Sequence, residues 1–269
     1  MATQAYDPRA YQQQQQQQQQ QYHHQQYQQH GQQQPHQQPV PQPQQQQQQQ
    51  PQQQAQQQQQ QAQQQPGDDQ KAIYVDTQHD DMIHDAQLDY YGCKLATCSS
   101  DRTIKIFNVT TSGYTHTTTL QSHTSGPIWE IAWSHPQFGS LLASCSFSGT
   151  VLIHRERTPG DWIPLQSWTN LHSSSVNGVA FAPHQYGLVL ACAGSDGMVS
   201  VLSHLRDDSW GVERFKDNAL GVNGVSWAPY AEGMEGEMRL VTAGCDNQVR
   251  FWRKVLGEDG GGVWEVDPG

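Results

Sequence analysis

The sequence predicts an all-β fold assembled from repeated four-stranded units, and three observations support that expectation. Four polar turn residues, Asp101, Ser148, Asp196 and Asp246, recur at intervals of 47, 48 and 50 residues. Each is preceded six residues earlier by a leucine that opens a run of small side chains. Each is followed three and five residues later by β-branched or aromatic residues, a spacing of two that belongs to strands and not to helices. Self-similarity at such a period marks a repeat architecture.

Within each unit the elements follow in a fixed order. The first unit opens on Ile83-His-Asp-Ala-Gln-Leu88 and turns at Asp89-Tyr-Tyr-Gly92. The corresponding strands in the next three are Trp129-Glu-Ile-Ala-Trp133, Asn177-Gly-Val-Ala-Phe181 and Asn223-Gly-Val-Ser-Trp227. In each of these three an aliphatic residue and the aromatic two positions later share one face, and the strand runs into a turn marked by Pro136, Pro183 or Pro229 and then by Gly139, Gly187 or Gly233. A hairpin follows in every unit: Leu95-Ala-Thr-Cys-Ser-Ser-Asp101-Arg-Thr-Ile-Lys-Ile106, Leu142-Ala-Ser-Cys-Ser-Phe-Ser148-Gly-Thr-Val-Leu-Ile153, Leu190-Ala-Cys-Ala-Gly-Ser-Asp196-Gly-Met-Val-Ser-Val201 and Leu240-Val-Thr-Ala-Gly-Cys-Asp246-Asn-Gln-Val-Arg-Phe251. A fourth, more polar strand fills the gap before the next unit, as at 114–120 and 161–168. Four strands at a period slightly above 40 define the WD-type β-propeller blade. The chain is thus expected to hold four blades, over about 79–120, 121–170, 171–217 and 218–269.

The dipeptide that names such repeats is degraded here, to Phe107-Asn108, His154-Arg155, Leu202-Ser203 and Trp252-Arg253. A second recurring feature compensates. His79, His123 and His172 precede their turn residues by 22 to 25 positions, while Asn218 stands near that place in the fourth unit. Each His is expected to join a strand Ser or Thr and the turn carboxylate, at Asp101, Asp196 and Asp246, in a hydrogen-bond network that satisfies buried polar groups.

Composition divides the chain before any motif does. Of the first 70 residues 41 are Gln and four are charged, a low-complexity makeup expected to stay disordered. The remaining 199 carry 13 basic and 22 acidic side chains, so 71–269 is read as the folded domain. That acidic balance, without a basic stripe, argues against direct nucleic-acid binding. No apolar run is long enough to cross a bilayer and no secretory signal opens the chain, so a soluble, cytosolic protein is expected. The five cysteines are odd in number and lack metal-ligand spacing, so neither disulfides nor zinc are expected and no cofactor is implied.

Recurring Ser, His and Asp invite comparison with a hydrolase triad. A catalytic constellation is needed once, however, whereas these residues repeat at the blade period as a structural network would. No phosphate-binding or dinucleotide motif occurs, and the aromatic residues Trp129, Trp133 and Trp227 keep strand register as core residues do. The acidic insert at 231–237 reads as a solvated loop. A non-enzymatic protein is expected.

The string Ile83-His-Asp-Ala-Gln-Leu-Asp-Tyr-Tyr-Gly92 with Leu95-Ala-Thr-Cys-Ser-Ser-Asp-Arg-Thr-Ile-Lys-Ile-Phe107 closely resembles the start of the Sec thirteen family. Trp133-Ser-His-Pro-Gln-Phe-Gly139, Ala182-Pro-His-Gln-Tyr-Gly187 and Gly221-Val-Asn-Gly-Val-Ser-Trp-Ala-Pro229 are similar to its following blades. The resemblance implies a WD-repeat scaffold of the COPII outer coat, in transport from endoplasmic reticulum to Golgi, and of the outer ring of the nuclear pore. It implies an open six-bladed propeller, of which four blades lie in this chain, completed by a blade inserted from a large α-solenoid coat subunit or a solenoid nucleoporin. Membrane association would then be peripheral, through the coat or the pore. The edge at Ile73, Tyr74 and Val75, expected as a strand, is the candidate partner-binding segment. A Gln-rich WD-repeat corepressor is the alternative class, although residues 1–70 lack the heptad pattern of an oligomerisation helix. A related propeller of the pore and of amino-acid signalling shares the blade plan, but Asp-Tyr-Tyr-Gly and Ala-Pro-His-Gln-Tyr-Gly favour the coat family.

Overall fold

A computed structural model describes residues 74–121, 123–230, 237–256 and 262–268. The expectations at 1–70, Ile73, Gly233 and most of the acidic insert lie outside these residues. The described chain forms sixteen strands in four antiparallel sheets, each a simple meander. The first sheet holds β1 (Ile83–Leu88), β2 (Lys94–Ser99), β3 (Ile104–Thr110) and β4 (Gly113–Leu120). The second holds β5 (Ile128–Trp133), β6 (Leu141–Ser146), β7 (Val151–Thr158) and β8 (Asp161–Trp168). The third consists of β9 (Val176–Phe181), β10 (Val189–Gly194), β11 (Met198–His204) and β12 (Trp210–Lys216), and the fourth of β13 (Val222–Trp227), β14 (Arg239–Gly244), β15 (Val249–Leu256) and β16 (Gly262–Val266).

The first strands of successive sheets, β1, β5, β9 and β13, are neighbours in space, so the sheets stand face to face about a common inner wall. Three cores follow from this stacking. Ile104, Ile106 and Leu120 of the first sheet meet Ile128, Ile131 and Leu142 of the second. Val151 and Ile153 pack with Val176, Val179 and Leu190 between the second and third. Ala191 and Val201 meet Leu240, Trp252 and Trp264 between the third and fourth. Sheets covered on both faces need no polar side, and β6 and β10 are accordingly buried at every position. In β15, Val249 and Phe251 remain exposed, while the matching pairs Ile104/Ile106, Val151/Ile153 and Val199/Val201 are covered by the next sheet.

Backbone geometry repeats with the sequence. A register shift of one residue falls near the start of each inner strand where it pairs with its neighbour. The residue after each turn position is left-handed in all four hairpins: Arg102 (φ 69), Gly149 (φ 79), Gly197 (φ 75) and Asn247 (φ 63). Glycine takes that conformation without steric cost, so its presence in only two hairpins means that the turn itself, and not the residue, sets the angle.

Candidate functional site

The recurring His, hydroxyl and carboxylate meet in the first and third sheets, each in its own way. His79 Nδ1 lies 2.7 Å from Asp101 Oδ2, and its Nε2 lies 2.9 Å from Thr97 Oγ1 on β2. Burial alone would raise the Asp101 carboxyl. Hydrogen bonds from Thr103, His79 and the backbone of Thr103 and Asp80 outweigh it and hold the group at about 2. His172 Nδ1 sits 2.9 Å from Asp196 Oδ1, but its Nε2 turns to Ser200 on β11, 3.0 Å away. The reason is local. Cys192 occupies the β10 position that Thr97 and Ser144 fill in the earlier sheets, and Ser200 is its cross-strand partner. The hydroxyl has moved one strand over.

The second and fourth sheets depart further. His123 Nε2 meets Ser144 Oγ at 2.8 Å, but the turn residue is Ser148, whose hydroxyl bonds Ser146 and Thr150 instead. His123 Nδ1 is left buried without a partner. Burial, reinforced by nearby His154, lowers the His123 pKa to about 4, so the ring is neutral at physiological pH. In the fourth sheet Asn218 does not take the place of a histidine. Its side chain caps its own loop, accepting from the Leu220 and Gly221 amides. Asp217 and Arg250 do the work: Arg250 reaches both Asp217 and Asp246, while Thr242 and the Trp252 indole donate to Asp217. Sequence reasoning missed this exchange, although an Arg four residues after Asp246, on the same hairpin, was its visible signal.

A second set of contacts, unforeseen from the sequence, stitches the inner strands together. Asp85, third in β1, accepts the Ile131 amide of the next sheet at 3.1 Å. Glu130, third in β5, accepts the Val179 amide at 2.7 Å. At the next seam the job passes to Asn177, which donates to the Val222 carbonyl at 3.0 Å. Gly178 makes the Glu130 contact possible, because a Cβ there would lie 3.0 Å from Glu130 Oε2. Burial, opposed by the Val179 hydrogen bond and abetted by Asp85, pushes the Glu130 carboxyl up to about 7. Trp133 and Trp227 act similarly from the aromatic position, their indoles donating to Gln87 and Ala180 of the preceding sheets. They are half-buried seam residues and also line the inner wall.

Where the inner strands end, their loops surround a cavity of about 940 Å³. Its rim is a chain of ring contacts, with Tyr90 edge-on to His135 at 5.1 Å and His135 stacked on His184 at 3.9 Å. The 3-10 turns at Pro136–Phe138, capped by His135, and at His184–Tyr186, preceded by Pro183, hold the two histidines in place.

The expected edge strand at Ile73, Tyr74 and Val75 requires correction. Tyr74 and Val75 carry no ladder pairing to any described strand, and Ile73 lies outside the described residues. The segment is tied by side chains instead, through the Asp76 amide to the Tyr114 hydroxyl and through His79. Tyr74 is 85% exposed. Of the cysteines, Cys98, Cys145 and Cys192 are buried in the cores and Cys93 and Cys245 are exposed, all as free thiols.

Comparison with known proteins places this geometry in a family. The family model described as "WD domain, G-beta repeat" matches residues 70–108, 114–155 and 163–202. The chain is 48% identical over 190 residues to "Protein transport protein sec13" of Emericella nidulans, covering 65% of this chain and 61% of that protein. It is 41% identical over 223 residues to "Protein transport protein SEC13" of Mycosarcoma maydis, covering 66% and 60%. The "Protein SEC13 homolog" of Drosophila melanogaster is 44% identical over 193 residues, covering 67% of this chain and 53% of the fly protein. The chain therefore spans between half and two thirds of the length of these relatives. Four-stranded meanders stacked about one inner wall, joined to identities of this size, mean that the chain belongs to the Sec thirteen family of WD-repeat β-propeller proteins.

Proposed function

We propose that the chain is a structural, non-catalytic scaffold subunit acting in vesicle-mediated protein transport. The observation that carries this reading is the identity of 41–48% to relatives named as protein transport proteins. The chemistry agrees with it. The Ser, His and carboxylate groups are consumed in networks repeated from sheet to sheet, and each hydroxyl already has its structural partner. A catalytic constellation is needed once, whereas these contacts recur from sheet to sheet as structural networks do.

The finer reading is a subunit of the COPII coat and of the nuclear pore, peripheral to the membrane, whose propeller is completed by a blade from a large α-solenoid partner. Support comes from the leading face of the first sheet. Ile83 is 46% exposed, whereas its counterparts Ile128, Val176 and Val222 at the first position are fully buried against the preceding sheet, and Leu88 at the end of the same strand is 56% exposed. Exposed apolar positions on a sheet face suit the docking of another sheet. Tyr74 and Val75, just before the Asp76 amide that bonds the Tyr114 hydroxyl on β4, are with Ile73 a further candidate contact segment.

Affinity capture of the native protein from cytosolic and nuclear-envelope extracts tests the reading. A stoichiometric α-solenoid partner in each extract is the expected result. Recovery of transcription factors without a solenoid would overturn it.

A further inference from the structure

The cavity at the ends of the inner strands combines aromatic walls with an acidic floor. Among the described residues lining it there is no lysine or arginine, and Glu130 is its only carboxylate. Glu130 accepts one amide hydrogen bond, from Val179, which leaves most of the acceptor capacity of a carboxylate unused. Asp85, on the inner strand of the first sheet, adds to the negative charge that Glu130 feels although it does not line the cavity. Trp133, Phe181 and Trp227 form the wall above, and Tyr90, 67% exposed, stands at the rim.

We propose that this cavity seats a long cationic side chain, an arginine, presented by a segment of a partner protein. Charge complementarity selects the occupant. An anion would face Glu130 unpaired, and a purely apolar anchor would dry the carboxylate without pairing it. A guanidinium supplies donors to Glu130 in a planar fork, and its weak hydration and affinity for aromatic faces suit the tryptophan-lined passage. Length matters too. Glu130 precedes Trp133 by three residues of strand, about 10 Å along β5, so a short cation at the rim would not reach it. The stem packs against the aromatic wall while the head makes the ion pair. Leu88 borders both this cavity and the face of the first sheet assigned above to a docking blade, but Glu130 belongs only to the cavity and Ile83 only to that face, so tests at these two residues can fail independently.

The test uses three nonapeptides of glycine and serine carrying one central arginine, citrulline or glutamate, titrated into the full 269-residue chain. Tryptophan fluorescence and calorimetric heat are followed at pH 7. The arginine peptide is expected to bind at least tenfold more tightly than citrulline, with the glutamate peptide weaker still. Because a cation favours the ionised form of Glu130, arginine binding should also release protons, read as heats that vary with the buffer. Glu130→Gln should reduce arginine to the citrulline level. Tyr90→Ala, at an exposed rim position that leaves near-ultraviolet circular dichroism unchanged, should weaken it several-fold. Equal binding of arginine and citrulline, saturation by neither, or indifference to Glu130→Gln would each overturn the proposal.

Discussion

Single residues decide whether each sheet closes its polar network. In the second sheet the turn carboxylate is missing, and His123 Nδ1 stays buried and unpaired beside Ser148. Thr150 stands where Thr103 supports Asp101 in the first sheet, so the surroundings for a carboxylate are already present. Ser148→Asp is therefore expected to stabilise the protein by about 1 kcal/mol at neutral pH, measured by urea denaturation. Glu130 offers a test of opposite character. Its folded pKa of about 7 lies above the unfolded carboxylate value, so the folded state holds the extra proton and stability falls as pH rises from about 4.5 to 7. Glu130→Gln keeps the acceptor for Val179 and removes this loss. The variant should gain on the wild type by roughly 1–2 kcal/mol between pH 5 and pH 8, the full linkage being reduced by solvent screening. His123 has the reverse sign: with its folded pKa depressed to about 4, it costs stability as pH falls from 6.5 toward 4. Thermal melts across pH 4 to 8 of the wild type and Glu130→Gln separate the two contributions, because the windows overlap but only that of Glu130 is lost in the variant, so the difference between the two curves isolates it.

At the scale of the element, the seams are set by close approach. A Cβ on Gly194 would lie 2.1 Å from His172 Nδ1 and 2.5 Å from Asp196 Oδ1. Gly194→Ala should expel the ring from its network and cost about 2–4 kcal/mol, with the proton resonances of His172 reporting the loss. The hairpins and inner strands were legible in the sequence because alternation and turn chemistry are local. The pairing of His79 with Asp101 and of His172 with Asp196 followed from the same period. What escaped was exchange between neighbours: Ser200 standing in for Cys192, and Asp217 with Arg250 standing in for a histidine at Asn218. Such swaps conserve the hydrogen bonds of a site and not the residue that makes them, so a period in sequence does not reveal them. The Asp85 and Glu130 stitches escaped for a related reason. Each satisfies an amide on another sheet 46 or 49 residues away, and nothing in a single strand announces that contact. The strand expected at Tyr74 and Val75 failed because a strand needs a ladder as well as suitable residues.

Over the whole molecule, sheet stacking makes every interior face a copy of its neighbours and turns an exposed face into information. The leading face of the first sheet shows Ile83 to solvent where the same register is buried in the other three sheets. Ion pairs join neighbouring sheets, Lys94 of the first with Glu156 of the second and Lys254 of the fourth with Glu213 of the third, and so bear on the interior seams. Ile83→Asp should accordingly abolish solenoid capture at least tenfold while shifting the melting temperature by only a few degrees, because the side chain is already half in water. The most direct measurement is photo-crosslinking in cells from a reactive residue placed at Ile83, with a control at Asp208, whose side chain is 95% exposed on an outer loop. The scaffold account predicts one dominant crosslink from position 83 to a large α-solenoid protein and none from position 208. Absence of a solenoid adduct at position 83, or equal adducts from both positions, would contradict it.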